Sequence, residues 1–249
     1  MEMQNKIVVI TGGASGIGFA IAKALSANNT VVSLDRNPQS ISQLSEKLPN
    51  VVSIQTDVTN IEQVEAALKQ IETKFDKIDL LINNAGIGKA VDFDKLTQQQ
   101  ITEIAEMEMK VNYFAPISLT KLAMPLLNKS NEPAVAFTTS GLAYVPSATH
   151  PTHSATKAAL HSFVLTLRHQ LRNTKIKVIE LLPPTVDTAF TKEIKAPKIK
   201  PEQVALEFLK GLKSGNQTIK VGQTGALSII SRITPSGAFK MLNPSSQAL

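Results

Sequence analysis

Short runs of β-branched and other apolar residues alternate with stretches of helical period along nearly the whole chain. The apolar runs fall at Lys6 to Ile10, Thr30 to Leu34, Val51 to Gln55, Ile78 to Ile82, Ala134 to Thr138, Lys177 to Leu182 and Thr218 to Val221. Between them, helical spacing covers 16–28, 38–48, 61–75, 97–128, 152–172 and 201–213. Asn60 stands where an N-cap is expected and Pro201 in a first turn, positions those residue types favour. Apolar strands separated by helices predict an α/β fold, a seven-stranded parallel sheet with helices on both faces. Right-handed crossovers make such a sheet doubly wound and place a ligand site outside the carboxyl ends of its strands.

No internal repeat, low-complexity tract or linker interrupts the pattern, so a single domain over 1–249 is expected. Two segments stand apart within it. Residues 189–201, rich in Lys and Pro and without a strong apolar face, read as a lid over a substrate site. Residues 226–249 read as a C-terminal extension, with Leu227, Ile229, Ile230, Ile233, Phe239, Met241 and Leu242 around a Pro235-Ser236-Gly237 break. Packing against the body or another subunit suits it better than a lipid surface, because its charged face is thin.

Composition narrows the classes of function. Hydrophobic residues make up 43% and charged residues 18%, and no apolar run approaches the roughly 18 residues of a membrane span. The start, MEMQNKIVVIT, has no signal-peptide h-region, and the chain lacks cysteine, which fits a reducing compartment; the expectation is a cytoplasmic protein. The net charge of +6 would suit polyanions if it were concentrated. Its one tight group is Lys192, Lys195, Lys198 and Lys200, read as a solvated loop with an anion-binding lid as the alternative. With 4% aromatic residues and no Trp, stacking platforms are scarce, and no nucleic-acid partner is expected.

Candidate chemistry begins after the first apolar run. Thr11-Gly12-Gly13-Ala14-Ser15-Gly16-Ile17-Gly18 joins a strand to an amphipathic helix, the context of a phosphate cradle: glycines allow close backbone approach, and the helix N-terminus offers free N–H groups. Asp35 closes the second strand seventeen residues past Gly18, where a carboxylate accepts bonds from a ribose and repels a 2′-phosphate. Arg36 beside it could pair with such a phosphate or lie across an adenine face. Asp35 favours NAD, and Arg36 argues back, so NADP is the alternative. Asn83-Asn84-Ala85-Gly86 follows a fully apolar strand, and its small residues admit a ligand. Asn112 sits mid-helix, where Asn competes for backbone hydrogen bonds and is costly without a role. Tyr113 and Phe114 beside it read as packing residues. Farther on, Ser140 is followed thirteen residues later by His153 and four residues after that by Lys157.

The spacing of Gly12, Gly16 and Gly18, the Asn-Asn-Ala-Gly turn, Asn112 and the Ser140–Lys157 segment together resemble the short-chain dehydrogenase/reductase family, over Lys6 to at least Thr188. The resemblance implies a Rossmann-type domain binding a nicotinamide dinucleotide. Asp57 and Val58 would flank the adenine, and Ser15, where many NADP-using members carry a basic residue, points to NAD. Pro183, the Val186 backbone and Thr188 would hold the nicotinamide carboxamide, although Pro184 replaces the usual Gly. Asn112 would keep a kinked turn and a bound water. Ser140 would hold the substrate oxygen, and Lys157 would bind the ribose and tune the proton donor. The helices bearing Asn112 and following Lys157 imply a homodimer or homotetramer.

The family's catalytic Tyr position holds His153. Imidazole is a competent acid or base, but its ring stops short of a phenol oxygen and Lys157 would depress its imidazolium form. The expected function is NAD(P)-dependent hydride transfer involving a carbonyl or secondary-alcohol substrate. The alternatives are a redox-impaired dinucleotide-binding protein, serving as sensor or partner subunit, and a Tyr-to-His variant of an active enzyme. Tyr144 is a candidate rescue donor. The His150/His153 spacing does not suggest a metal, because Pro151 separates them and no third ligand is near.

Overall fold

The structure, a computed structural model, describes residues 1–244. In chain order it contains β1 (Ile7–Thr11), α1 (Gly16–Leu25), β2 (Thr30–Asp35), α2 (Pro38–Lys47), β3 (Val52–Gln55), α3 (Ile61–Phe75), β4 (Leu80–Asn83), α4 (Gln98–Met109) and α5 (Ala115–Asn128). There follow β5 (Ala134–Thr138), α6 (Pro151–Gln170), β6 (Lys177–Leu182), α7 (Pro201–Lys213), β7 (Thr218–Lys220), α8 (Thr224–Ile233) and α9 (Pro235–Leu242). The seven strands form one sheet in the order β3-β2-β1-β4-β5-β6-β7, parallel at every pairing. Order reverses between β1 and β4, so the carboxyl ends of those strands diverge and leave a crevice.

Successive residues of each strand serve opposite layers. Val8 and Ile10 pack into the cluster that receives Ala20 and Ile21 of α1, Leu44 of α2 and Phe208 of α7. Val9 faces the other way, into the cluster built from α3, α5 and α6 through Ile71, Leu119 and Val164. All of these side chains are essentially fully buried, and burial of each Val, Leu, Ile or Phe among them contributes about 1.5–3 kcal/mol. Both faces are therefore covered, as continuous apolar strands require.

The expected starts hold: Asn60 Oδ1 accepts from Gln63 N at 3.0 Å, and Pro201 opens α7. The helix expected over 97–128 is instead three pieces. Thr97 and Gln100 form a capping box at the start of α4, and a π-turn over Lys110–Phe114 then intervenes before α5. There Ala115 N reaches back to Lys110 O, which adds one residue to the turn and swings Asn112 inward. Tyr113 packs against the α3/α5/α6 cluster as expected, but Phe114 is exposed, because the widened turn rotates it outward.

At the C-terminus the expected break becomes a helix junction, with Pro235 at the first position of α9. Asn243 fastens this end to the body: its Oδ1 accepts from Ala148 N at 2.6 Å and its Nδ2 donates to Pro146 O at 3.0 Å. Ile229, Ile233, Phe239 and Met241 stay exposed. The last five residues of the expected extension lie outside the described residues. Among the described residues, no helix is long and apolar enough to cross a membrane.

Candidate active site

A cleft of ≈ 430 Å³ opens at the carboxyl ends of β1, β2, β4, β5 and β6. It brings together Gly12, Ser15, Gly16, Ile17, Asp35, Arg36, Asp57, Val58, Asn84, Ala85 and Gly86 with Ser140, His153, Lys157, Pro183, Val186 and Thr188. Two of the sequence-selected residues, Gly18 and Asn112, support this lining from behind.

Gly18 is required by its neighbours. A Cβ there would fall 2.0 Å from the Gly12 carbonyl oxygen and 2.7 Å from Asn84 Nδ2, and Gly12 itself has φ +67°. Ser15 precedes α1 with no side-chain cap, so the first N–H groups of that helix remain available to a ligand. The loop is tied down by Asp35, whose Oδ2 accepts from Ala14 N at 3.0 Å. Thr11 pins the opposite wall: its hydroxyl accepts from Asn84 N at 3.0 Å and Ala85 N at 2.9 Å.

Asp57 makes a local turn, accepting from Thr59 N at 2.9 Å and from the Thr59 hydroxyl at 2.7 Å. Partial burial works against its ionisation, but those bonds and nearby Arg36 together hold it below the usual carboxylate range. Pro183 O accepts from Gly141 N at 3.0 Å, and Thr188 lies against Gly16. The Thr191 hydroxyl donates to Val186 O.

At the chemical end, Lys157 and His153 are both almost wholly buried in the first turns of α6. Lys157 Nζ donates to Thr138 O at 2.9 Å, and burial lowers its pKa to about 8. His153 Nδ1 lies 2.8 Å from Ile87 O. Burial first and the Lys157 charge second lower the ring's pKa to about 3, so it is neutral at ordinary pH. Phe190 covers it with ring centroids 5.4 Å apart, and Gly88 leaves room for both: a Cβ there would sit 2.7 Å from His153 Nδ1 and 2.8 Å from Phe190 Cζ. Ser140 Oγ accepts from Leu142 N at 3.1 Å and keeps its hydroxyl proton for another partner.

Asn112 is held by backbone rather than exposed to the cleft. Its Oδ1 accepts from Ile87 N at 2.9 Å, while Nδ2 donates to Ile87 O at 2.8 Å and to Thr156 Oγ1 at 3.0 Å. Ile87 escapes sequence reasoning because its carbonyl, not its side chain, makes the contact. Phe190 was hidden inside a lysine-rich stretch whose polar appearance masked it.

Two of the alternatives fail on geometry. Tyr144 is not a rescue donor: it packs against His161, ring centroids 5.1 Å apart, with Lys220 over its face, and lines a separate ≈ 630 Å³ hollow outside β7. Nor does the lysine group form a built anion site: as the solvated-loop reading expects, Lys192, Lys195 and Lys200 are exposed, and among the described residues Lys198 Nζ contacts only Lys192 O, at 3.4 Å. His150 and His153 diverge, the former to Thr149 Oγ1 at 2.9 Å. Among the described residues, no cluster of three or more His, Cys, Asp or Glu could hold a metal.

The hollow outside β7 also borders a buried polar group that the sequence did not reveal. Glu180, fully buried in β6, accepts at Oε1 from Thr139 at 2.7 Å and from His161 at 2.8 Å, while its Oε2 has no partner among the described residues.

A glycine cradle at the switch point of a doubly wound parallel sheet, with Ser, His and Lys at the far end, defines the class of α/β protein. The family model described as short chain dehydrogenase matches residues 6–199, and the chain belongs to that family. It is 39% identical over 250 residues to the "Uncharacterized oxidoreductase DltE" of Bacillus subtilis (strain 168), covering 98% of each chain. Among solved structures it is similar to a short chain dehydrogenase from Burkholderia cenocepacia J2315 in complex with NADP. There the TM-score is 0.85 and the identity 27%, with 97% of this chain and 99% of that one covered. A short chain dehydrogenase/reductase from Burkholderia phymatum in complex with NAD shares the fold, with TM-score 0.86, 21% identity, and 100% and 99% coverage.

Proposed function

We propose that this protein is a nicotinamide-dinucleotide-dependent oxidoreductase acting on a carbonyl or secondary-alcohol substrate. The observation that carries this reading is the convergence of Ser140, His153 and Lys157 on the same cleft as the glycine cradle. The residues present fit a dinucleotide. The uncapped start of α1 suits a pyrophosphate, and only a residue without Cβ passes between Gly12 O and Asn84 at position 18. Asp35 supports NAD over NADP, because a carboxylate there repels a 2′-phosphate; the relatives' ligands include both.

When bound, the nicotinamide supplies a two-electron hydride donor or acceptor. The chain's residues do the rest. The Ser140 hydroxyl donates to the substrate oxygen, Lys157 keeps a positive charge beside it, and Asn112 fixes the wall behind. Phe190 and the segment 189–201 act as a lid that excludes water, which strengthens every charge interaction beneath it. The layout is one catalytic domain over 1–249 with 226–249 as an extension. The protein acts in the cytoplasm as a homodimer or homotetramer, assembled through α4, the π-turn that follows it and α6, where Met107, Phe114 and Leu165 lie exposed.

A second reading, a dinucleotide-binding protein with impaired redox activity, is favoured by one observation: a ring with a pKa of about 3 stands where a proton donor is needed. Fluorescence titration with NADH and NADPH, followed by assays on panels of ketones, aldehydes and alcohols, separates the two. Turnover that is lost in His153→Ala supports the enzyme. Undiminished cofactor binding with activity only in His153→Tyr supports the impaired protein. Absence of any nicotinamide binding overturns both.

A further inference from the structure

His153 has two ring nitrogens, and the backbone has already chosen between them. Ile87 O is an acceptor only, so the 2.8 Å contact requires the proton on Nδ1. The choice is enforced from a second side. Asn112 Nδ2 stands 3.4 Å from the same nitrogen, but its two protons serve Ile87 O and Thr156 Oγ1. It therefore faces Nδ1 as one donor facing another, and Ile87 O takes a bond from each with its two lone pairs. In a neutral imidazole the other nitrogen, Nε2, is then a bare acceptor. No partner occupies it among the described residues, and His153 lines the cleft.

We infer that the Ile87 carbonyl and Asn112 lock His153 as the Nδ1–H tautomer, so that a bare Nε2 meets a secondary-alcohol substrate as the acceptor of its hydroxyl proton. This rests on the proposed oxidoreductase reading and names the atom of that same site that takes the proton. In the step, the alcohol O–H bond breaks and its proton goes to Nε2. The C–H bond breaks with its electron pair, which leaves as hydride to an oxidised nicotinamide dinucleotide, the co-reactant. The oxygen's freed electron pair closes the C=O bond. Imidazolium then returns its proton to solvent, and alcohol is oxidised as the dinucleotide is reduced.

Magnitudes set the pH dependence. With a pKa of about 3, only roughly 10⁻⁴ of His153 is protonated at pH 7, so reduction, which needs the imidazolium, loses its donor in proportion as pH rises. Oxidation needs the neutral ring, which is nearly the whole population across that range, and its rate does not change with pH. The charged and titratable groups around the ring do not reverse this. Lys157 and His150, both at the start of α6, each disfavour imidazolium. Glu108 of α4, which holds Lys89 N at 2.8 Å, is itself pushed toward its neutral form by burial.

The test has two parts. Nitrogen-15 NMR of the full chain without ligand reads the tautomer: at neutral pH, Nδ1 should show the protonated signature and Nε2 the bare one. A protonated Nε2, or an imidazolium signal, overturns the lock. Steady-state assays with NAD(H) are then run from about pH 5 to about pH 7, below the range where Lys157 titrates. Oxidation of a secondary alcohol should keep a constant kcat/KM, whereas reduction of the matching ketone should fall roughly tenfold per pH unit, without a plateau. A reduction plateau within that range means an efficient acid is present and overturns the proposal. NADH binding without turnover of either substrate overturns the base role and leaves dinucleotide binding intact. Absence of NADH binding sinks the oxidoreductase reading and the base role with it, while the tautomer stands or falls on the NMR result.

Discussion

Asn112 and Ile87 exchange two hydrogen bonds, Oδ1 accepting from Ile87 N at 2.9 Å and Nδ2 donating to Ile87 O at 2.8 Å. The π-turn is what brings a side chain from the helical face to the backbone after β4, so a local irregularity in one element fixes the wall of the cleft in another. Asn112→Ala removes both bonds and the one to Thr156, leaving polar groups unpaired in a buried place. A loss of about 2–3 kcal/mol is expected, read as a lower urea midpoint at unchanged slope. An unchanged midpoint would show that water replaces the amide without cost.

The depressed pKa of His153 has a consequence for stability. In the native state the ring stays neutral down to about pH 3, while in the unfolded chain it takes up a proton below its ordinary value of 6.5. The stability it contributes is present above that unfolded value and is lost as pH falls toward the folded one, by about 1.4 kcal/mol per pH unit. His153→Gln keeps a donor for Ile87 O but cannot titrate, so its melting temperature should decline less steeply between about pH 6 and about pH 4. Identical acid limbs in the two proteins would count against a buried, neutral His153.

Gly18→Ala should abolish dinucleotide binding, because its Cβ cannot occupy a point 2.0 Å from the Gly12 carbonyl oxygen without opening the cradle. Gly225→Ala is the matched control, since nothing lies within 4 Å of the added carbon. The check is NADH fluorescence alongside circular dichroism. Binding by the position-18 variant equal to that of the control would remove the cradle from the argument.

Replacing Asp35 by Ser removes the charge facing a 2′-phosphate and also frees Ala14 N. The ratio of NADPH to NADH affinity should rise by about tenfold or more, the equivalent of ~1.4 kcal/mol. An unaltered ratio would mean that Arg36, not Asp35, sets the preference.

Much of this architecture was legible in the one-dimensional pattern. The apolar runs mark all seven strands, because a parallel sheet covered on both faces buries both sides of its central strands, while the edge strands β3 and β7 keep a polar side through Ser53 and Gln55 and through Thr218 and Lys220. The glycine loop and the Asn-Asn-Ala-Gly turn follow β1 and β4, at the switch point where a ligand belongs. The helix over 97–128 was legible only in extent. A π-turn leaves the apolar period nearly intact, and the one hint was an Asn where a helix does not want one.

The sequence by itself determined the fold, the place of the cleft and most of the polar and glycine positions that line it, since periodicity, glycine spacing and motif order are properties of neighbours along the chain; Phe190, which covers His153, was not among them. It also raised the question at His153, by placing an imidazole at the position of a phenol. Only the tertiary structure decided what that imidazole can do. Its tautomer depends on a backbone carbonyl 66 residues away, held by an amide from a third segment, and its neutrality depends on burial beside Lys157. The exclusion of Tyr144 has the same origin: the residue lies close to Ser140 in sequence, but the turn after β5 sends it to the far side of α6, against His161. Proton chemistry is set by which atoms meet across the fold, and that information is not local in the chain.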